Sequence, residues 1–289
     1  MHTVEARSLL TGWNGMNIYR GCAHGCVYCD SRSVCYRFTH PFEDVEVKSN
    51  APALLEEILR KKRKRLVIST GSMSDPYQPC ENELELMRRC LELFDRYGFG
   101  ASVITKSDLV LRDLDLFERI NSKARAVLQM TLTVADDALS RKLEPNVCAS
   151  SRRYEVLREF RSRGIPAVVW MTPILPFLTD SEENLRQLLD WCFDAGVKGI
   201  VCFNAGLTLR DGSREYYYRA LDRLFPGLSG EYRKRYGNSY EVNSPQNDRL
   251  MRMFHEECEK RGVLHDPEEC FRFIAALPEE RDQLSLFEE

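Results

Sequence analysis

Three cysteines crowd into one short stretch, Tyr19-Arg20-Gly21-Cys22-Ala23-His24-Gly25-Cys26-Val27-Tyr28-Cys29, and nothing else in the chain restricts its fold as much. The spacing is Cys-x3-Cys-x2-Cys, with a glycine beside each of the first two thiols. Glycine reaches positive φ without a Cβ clash, so a loop of this composition can curl back and point its sulfurs at one centre. Zinc sites usually join a Cys-x2-Cys pair to a second pair of ligands further on, and none follows here. Cuboidal iron–sulfur clusters that only carry electrons take four protein thiolates. Three thiolates leave one iron open, where a substrate or cofactor can bind. The plain alternative is three cysteines clustered by chance, or a damaged zinc knuckle.

Around this loop, short β-branched runs alternate with longer amphipathic segments. Strands are expected at Gly15 to Tyr19, Leu66 to Thr70, Gly100 to Lys106, Ala126 to Leu132, Pro166 to Thr172 and Gly199 to Asn204. Helices are expected from Ala53 to Lys62, from Asn82 (as N-cap) to Tyr97, from Leu111 to Ile120, from Ser151 to Arg163 and from Glu182 to Ala195. Strands separated by helices argue a parallel sheet with right-handed crossovers. Six such units predict an α/β fold, a partial (β/α)6 TIM-like barrel over residues 1–205. In parallel barrels the chemistry sits at the C-terminal ends of the strands. The cysteine loop, residues 69–75, Thr105-Lys106-Ser107 and residues 131–133 would gather there. From Gly206 the period changes to a C-terminal helical extension, residues 206–277, with helices at Tyr216 to Phe225, Leu228 to Tyr236 and Asn247 to Arg261. A charged tail, residues 278–289, follows.

Composition narrows the setting. With 11 cysteines at irregular spacings, an odd total, the chain suits a reducing cytosol, and Cys90, Cys192 and Cys202 read as small core residues. No run of about 18 apolar residues exists to span a bilayer, and the first residues lack the order of a secretory signal. A cytoplasmic protein with no membrane contact is expected. The net charge of −3 excludes a polycation that seeks nucleic acid by charge alone. The unbroken basic run Arg60 to Arg65 is either a solvated helix end or, if it faces the active-site mouth, a phosphate contact.

The cysteine loop, with its aromatic Tyr28 before the third thiol, resembles the cluster loop of the radical S-adenosylmethionine (radical SAM) superfamily. That resemblance implies a [4Fe-4S] cluster held by Cys22, Cys26 and Cys29. Its fourth iron would chelate S-adenosyl-L-methionine, and an electron from the cluster would release a 5′-deoxyadenosyl radical for hydrogen abstraction. The cofactors carry this chemistry and the protein supplies position and shielding. A low-potential electron donor, flavodoxin or ferredoxin, is implied as partner.

Within the superfamily, Gly71-Ser72-Met73-Ser74-Asp75-Pro76-Tyr77 looks most similar to the branch of spore photoproduct lyase, which repairs DNA. By that similarity Ser74 and Asp75 would grip the methionine amino group, Lys106 would pair with its carboxylate, and Thr131 would supply a hydroxyl. Ser72 stands where the lyase's hydrogen-returning cysteine is expected, and an O–H bond is too strong for that role. Cys80 is either a displaced donor or a loop thiol. Arg153 would reach the ribose or carboxylate, unless it is an ordinary helix arginine. Ile174 or Leu175 would wall the adenine.

At the C-terminus, Gln283-Leu284-Ser285-Leu286-Phe287 resembles the peptide with which bacterial repair proteins dock on the sliding DNA clamp. Gln283, Leu284, Leu286 and Phe287 would be its anchors. Tyr216 to Arg219 and Tyr232 to Tyr236 interleave aromatics with positive charge, as base stacking requires, although tyrosines on amphipathic helices also build cores. The expected function is radical-mediated repair or modification of nucleic acid. Modification of a peptide or small metabolite, and a non-catalytic protein with a structural cluster, are the alternatives.

Overall fold

The segments that pair into the main sheet are the apolar, β-branched runs, because those alone can be covered on both faces. The computed structural model describes residues 1–278 apart from Trp13. In chain order the first half contains β1 (His2–Val4), β2 (Gly15–Met16), β3 (Tyr19–Arg20), β4 (Glu46–Lys48), α1 (Ala51–Lys61), β5 (Val67–Thr70), α2 (Glu81–Leu84), α3 (Leu86–Tyr97), β6 (Gly100–Thr105), α4 (Leu114–Lys123) and β7 (Ala126–Thr131). There follow α5 (Asp137–Leu143), α6 (Ser150–Ser162), β8 (Ala167–Trp170), α7 (Glu182–Asp194), β9 (Gly199–Val201), β10 (Gly206–Thr208), α8 (Ser213–Leu224), α9 (Leu228–Tyr236), β11 (Glu241–Asn243), α10 (Asn247–Arg261) and α11 (Pro267–Ala275).

The sheet has six strands in the order β2-β5-β6-β7-β8-β9, every neighbour parallel. Every residue of β7 is buried, as its central place requires. Among the described residues β2 and β9 do not pair with each other, so the barrel stays open, as a partial barrel should. Leu128, Val169 and Ile200 face the surrounding helices in the main core. The alternate residues Val127, Val168 and Val201 face the concave side and pack on Cys270 and Ile274 of α11. The C-terminal helix therefore plugs the barrel. Above the plug, Gln129 Nε2 donates to Ser102 Oγ at 2.7 Å, and Trp170 Nε1 donates to Gln129 Oε1 at 2.7 Å.

The structure departs from the sequence reading in several places. Asn82 does not open a long helix; it lies inside the short α2, and the chain turns at Glu85 (φ 50°) before α3 begins. Glu81 does the capping, its Oε1 accepting from Met87 N at 2.9 Å. A helix, α5, occupies the segment after β7, capped by Asp136, whose Oδ1 accepts from Leu139 N at 2.6 Å. The region after Gly206 holds a β-ribbon, β10 with β11, and α10 joins the main core through Leu250, Met253 and Phe254. Tyr217, Tyr218 and Tyr232 are core residues of a second cluster, so the tyrosine–basic stretches build packing.

The basic run from Arg60 lies between the end of α1 and the start of β5, hence at the opposite end of the barrel from the cysteine loop. Arg60 pairs there with Glu56 and Tyr97. The run is a helix end, away from the mouth. The clamp-like residues Gln283, Leu284, Leu286 and Phe287 lie outside the described residues.

If α11 is a plug, its two faces should respond differently. Ile274→Asp places a charge against Val127 and Val168 and should cost at least about 2 kcal/mol. Arg272→Ala, on the exposed face, should change stability by no more than about 0.5 kcal/mol. Denaturant midpoints of the two variants check this.

Candidate active site

The cysteine loop follows β3 and is fixed on all sides by main-chain bonds. Gly21 has φ 86°, and a Cβ there would come within 2.4 Å of the Phe42 carbonyl oxygen. Cys22 N donates to that same oxygen at 3.1 Å. Ala23 N donates to Gln78 Oε1 at 3.0 Å, and Val27 N to Leu143 O at 2.9 Å. Asn146 Nδ2 donates to Ala23 O at 2.8 Å. Ser74 Oγ donates to Gly21 O at 2.5 Å. The loop is thus bound to the turn after β5 on one side and to the α5–α6 connection on the other.

Cys22, Cys26 and Cys29 line a recess of about 90 Å³ together with Ser72, Ser74, Asp75 and Lys106. Among the described residues their three sulfurs are not all within 4.8 Å of one another. Thiolates around one tetrahedral zinc stand about 3.8 Å apart, given a Zn–S distance of about 2.3 Å. As placed, the trio is spread wider than a single zinc asks and leaves room for a larger metal cage. Burial and the neighbouring Asp75 push the Cys22 thiol up to about 12, and burial likewise raises Cys26. Bound iron would supply the positive charge that such thiols need to ionise.

Asp75 and Ser74 meet the recess, but their polar atoms are already engaged. Asp75 Oδ1 accepts from Thr105 Oγ1 at 2.8 Å and from Tyr77 N at 2.9 Å, and Oδ2 accepts from Lys106 N at 2.9 Å. The carboxylate ties the turn after β5 to the end of β6. Gly71 makes that approach possible: it has φ 100°, and a Cβ would lie 2.1 Å from Ile104 O. His24, which the sequence reading passed over, is buried with Nδ1 3.4 Å from Asp75 Oδ2. Burial holds its imidazole below the usual value, against the pull of Asp75. Burial would also depress the Lys106 ammonium, yet Cys26, Glu144, Asp75 and Cys29 around it raise it above its ordinary range.

Arg153 is a correction. It is 0% exposed and reaches neither solvent nor cavity. Its Nε and Nη2 donate to Cys148 O at 3.1 and 2.9 Å, Nη1 donates to Thr131 O at 3.2 Å, and Nη2 pairs with Glu144. Four of its five N–H donors are spent on these internal partners, and the side chain is too deeply buried to reach ribose or carboxylate. Glu144 in turn accepts from the Tyr28 hydroxyl, so a Tyr28–Glu144–Arg153 chain runs beneath the loop. Glu144 and Gln78 were the other residues without an assigned role; their only sequence signal is polarity beside a glycine- or proline-containing turn.

Three further expectations meet the geometry differently. Ile174 and Leu175 are buried in the two apolar cores, so the cavity wall is made by Trp170, Pro173 and Phe203 instead. Cys80 packs against the main core beside Tyr19 and Glu81, and does not line the recess. Thr131 is buried at the end of β7, with its carbonyl on Arg153. Ser72, Lys106, Cys26 and Cys29 also face a larger cavity of about 640 Å³ that opens above the recess.

An open parallel barrel carries three cysteines at its C-terminal mouth, two buried and one half-buried, with a polar recess beside them, an arrangement with room for a metal cluster next to a second ligand. A model of the Radical SAM superfamily matches residues 16–191. The chain is 33% identical over 232 residues to an uncharacterized protein of Mycobacterium tuberculosis, covering 76% of this chain and 66% of that protein. It is 32% identical over 174 residues to an uncharacterized protein of Methanocaldococcus jannaschii, covering 60% and 64%. The chain thus spans about two thirds of the length of the curated relatives it matches.

Among solved structures, spore photoproduct lyase complexed with dinucleoside spore photoproduct matches with a TM-score of 0.61 at 14% identity, over 91% of this chain and 80% of that one. A variant of that lyase with bound AdoMet and the dinucleoside matches with a TM-score of 0.62 at 13% identity, over the same shares, 91% and 80%. These likenesses show the fold. This chain belongs to the radical S-adenosylmethionine superfamily, whose cofactors are a [4Fe-4S] cluster and S-adenosylmethionine. Cys22, Cys26 and Cys29 fit that donor set. No helix among the described residues is long and apolar enough to cross a membrane.

The buried Glu144–Arg153 pair gives a direct test of the loop's support. Removing either partner alone, as in Arg153→Met or Glu144→Leu, should cost about 3–5 kcal/mol by stranding a buried charge. The double variant should recover most of that loss. Thermal melts of the four proteins in one cycle measure the coupling.

Proposed function

We propose that this chain is a radical S-adenosylmethionine enzyme acting on nucleic acid, in repair or modification, by abstracting hydrogen from a nucleotide carbon. When bound, the cluster and S-adenosylmethionine supply the 5′-deoxyadenosyl radical. Cys22, Cys26 and Cys29 would hold the iron, and Lys106 would take the methionine carboxylate. Ser74 and Asp75 would shape the amino-group side from the turn they brace. The dense hydrogen bonding of the loop keeps that geometry stiff. A low-potential donor such as flavodoxin or ferredoxin would deliver the electron.

The observation that carries the substrate class is the aromatic mouth of the larger cavity. Phe203 is 54% exposed and Tyr240 46%, an unusual cost for large apolar faces unless something stacks on them. Phe203 lies 6.3 Å from the Trp170 ring, centroid to centroid. Arg210 Nη2 donates to the Tyr240 hydroxyl at 2.9 Å and its guanidinium lies over that ring. Exposed aromatic faces beside a guanidinium are what an unstacked base requires. Asp30 and Glu241 also line this cavity, so its walls are not uniformly basic. Affinity must then come from stacking more than from phosphate charge. The lyase whose fold this chain shares was solved with a dinucleoside, which supports the same class. Docking on the sliding DNA clamp through Gln283 and Phe287 would serve such a substrate.

The test has two stages. Anaerobic reconstitution should give four irons per chain and reductive release of 5′-deoxyadenosine, both lost in Cys26→Ala. Deuterated DNA should then transfer its label into 5′-deoxyadenosine. Phe203→Ala and Trp170→Ala should each weaken single-stranded DNA binding roughly 5- to 100-fold, with only a shallow salt dependence. Label transfer from a peptide or small metabolite, and none from any nucleic acid, would replace the substrate class while leaving the radical chemistry intact.

A further inference from the structure

Outside the radical site, the small sheet β1-β4-β3 gathers nitrogen and carboxylate donors that the reaction does not use. His2 of β1 and Glu46 of β4 are register partners, and His40 comes from the loop before β4. One donor atom from each lies within 4.8 Å of the others. The two imidazoles meet edge to face, centroids 5.0 Å apart. Each ring is oriented from behind. His40 Nδ1 donates to Pro41 O at 3.0 Å, a carbonyl that can only accept, and Nε2 meets Glu46 Oε1 at 2.8 Å as a second donor, so a bound ion would take the place of the Nε2 proton. His2 Nδ1 lies 3.1 Å from Asp44 Oδ2, which leaves its Nε2 for another partner. A carboxylate or carbonyl on the far nitrogen is the arrangement that prepares a histidine to bind metal.

We propose that His2, His40 and Glu46 bind a divalent transition-metal ion of zinc type. Two imidazoles and a carboxylate with one open position are a zinc donor set. Donors around a tetrahedral zinc stand about 3.4 Å apart, so closing the site needs modest turns of side chains that are exposed or half-buried. Glu46 Oε1 also accepts from Arg20 Nη1 at 2.8 Å. Arg20 keeps other partners when Glu46 turns: its Nη2 donates to the Tyr36 and Arg37 carbonyls, each at 3.0 Å, and its guanidinium lies 4.6 Å from the Phe38 ring centroid. The ion would pin β1 and the segment from His40 to Glu46 together. Phe42, whose carbonyl accepts from Cys22 N, lies within that segment. The site would thus stiffen the brace under the first cluster ligand.

The experiment uses the full chain, anaerobically loaded with its cluster and freed of loose metal. Zinc titration should give one ion per chain beyond the irons, with a raised melting temperature. His40→Ala and the double variant His2→Ala/His40→Ala should weaken zinc at least tenfold without changing iron content, and Asp44→Asn should weaken it less. Cobalt(II) should show only ligand-field bands from nitrogen and oxygen donors. Zinc uptake unaffected by both histidine variants, sulfur-to-cobalt charge-transfer bands, or no uptake beyond the irons would each overturn the site.

Discussion

One buried carboxylate, Glu144, sets the terms for the mouth of this barrel. Its surroundings exclude water, so its charge must be matched by the Arg153 guanidinium, and Tyr28 takes the remaining acceptor direction. Burial works to raise the carboxyl, yet Arg153 and then Lys106 hold it below its ordinary value. Stranding either charge in that environment is far costlier than moving a loop. The three residues come from the cluster loop, the end of α5 and the helix α6, and Arg153 also reaches the last residue of β7 through Thr131 O. The cluster loop cannot shift without stripping the Tyr28 hydroxyl from that buried carboxylate, which helps so short a segment to hold three thiols in place.

The other side of the loop is held by side-chain and backbone hydrogen bonds, with the Asp75 carboxylate among their acceptors. Asp75 binds the turn after β5 to β6, while Gln78 and Ser74 bind it to Ala23 and Gly21. The two sides differ in what backs them: a buried ion pair behind Tyr28 on the α5–α6 side, and the Asp75-braced turn after β5 on the other. Polar residues that look like ligands from their position spend most of their capacity on this framing. Lys106 is the exception. Its ammonium faces both the recess and the larger cavity, with thiols and carboxylates around it.

The strands were legible because burial on both faces leaves an unbroken apolar signature, and the three cysteines were legible because their spacing is chemistry in itself. What failed was direction. Arg153 sits on a helix whose register turns it inward, and Ile174 lies one step past the cavity wall, towards the core. Cys80, close to Asp75 in sequence, is turned towards Tyr19 and Glu81. No periodicity reports which way a single side chain points once the backbone leaves a regular element. The missed helices have the same origin. α5 is short and polar and exists because Asp136 caps it, and α11 packs on the concave face of the sheet, where no neighbouring strand in the sequence announces a partner.

That inward helix also bears on what the barrel can accept. With Cys270 and Ile274 filling the space against Val127, Val168 and Val201, the lumen is closed from below and entry is confined to the C-terminal ends of the strands. Phe271 of α11 then lies 5.8 Å from the Trp170 ring, supporting it from beneath. The indole N–H is fixed by Gln129, and Gln129 by Ser102, so the ring cannot rotate freely before a substrate arrives. A pre-oriented aromatic surface loses little entropy on binding, and a planar ring laid on it gains contact without ordering the wall. The residues that look like a C-terminal appendage in the sequence therefore brace the aromatic wall of the larger cavity through Trp170.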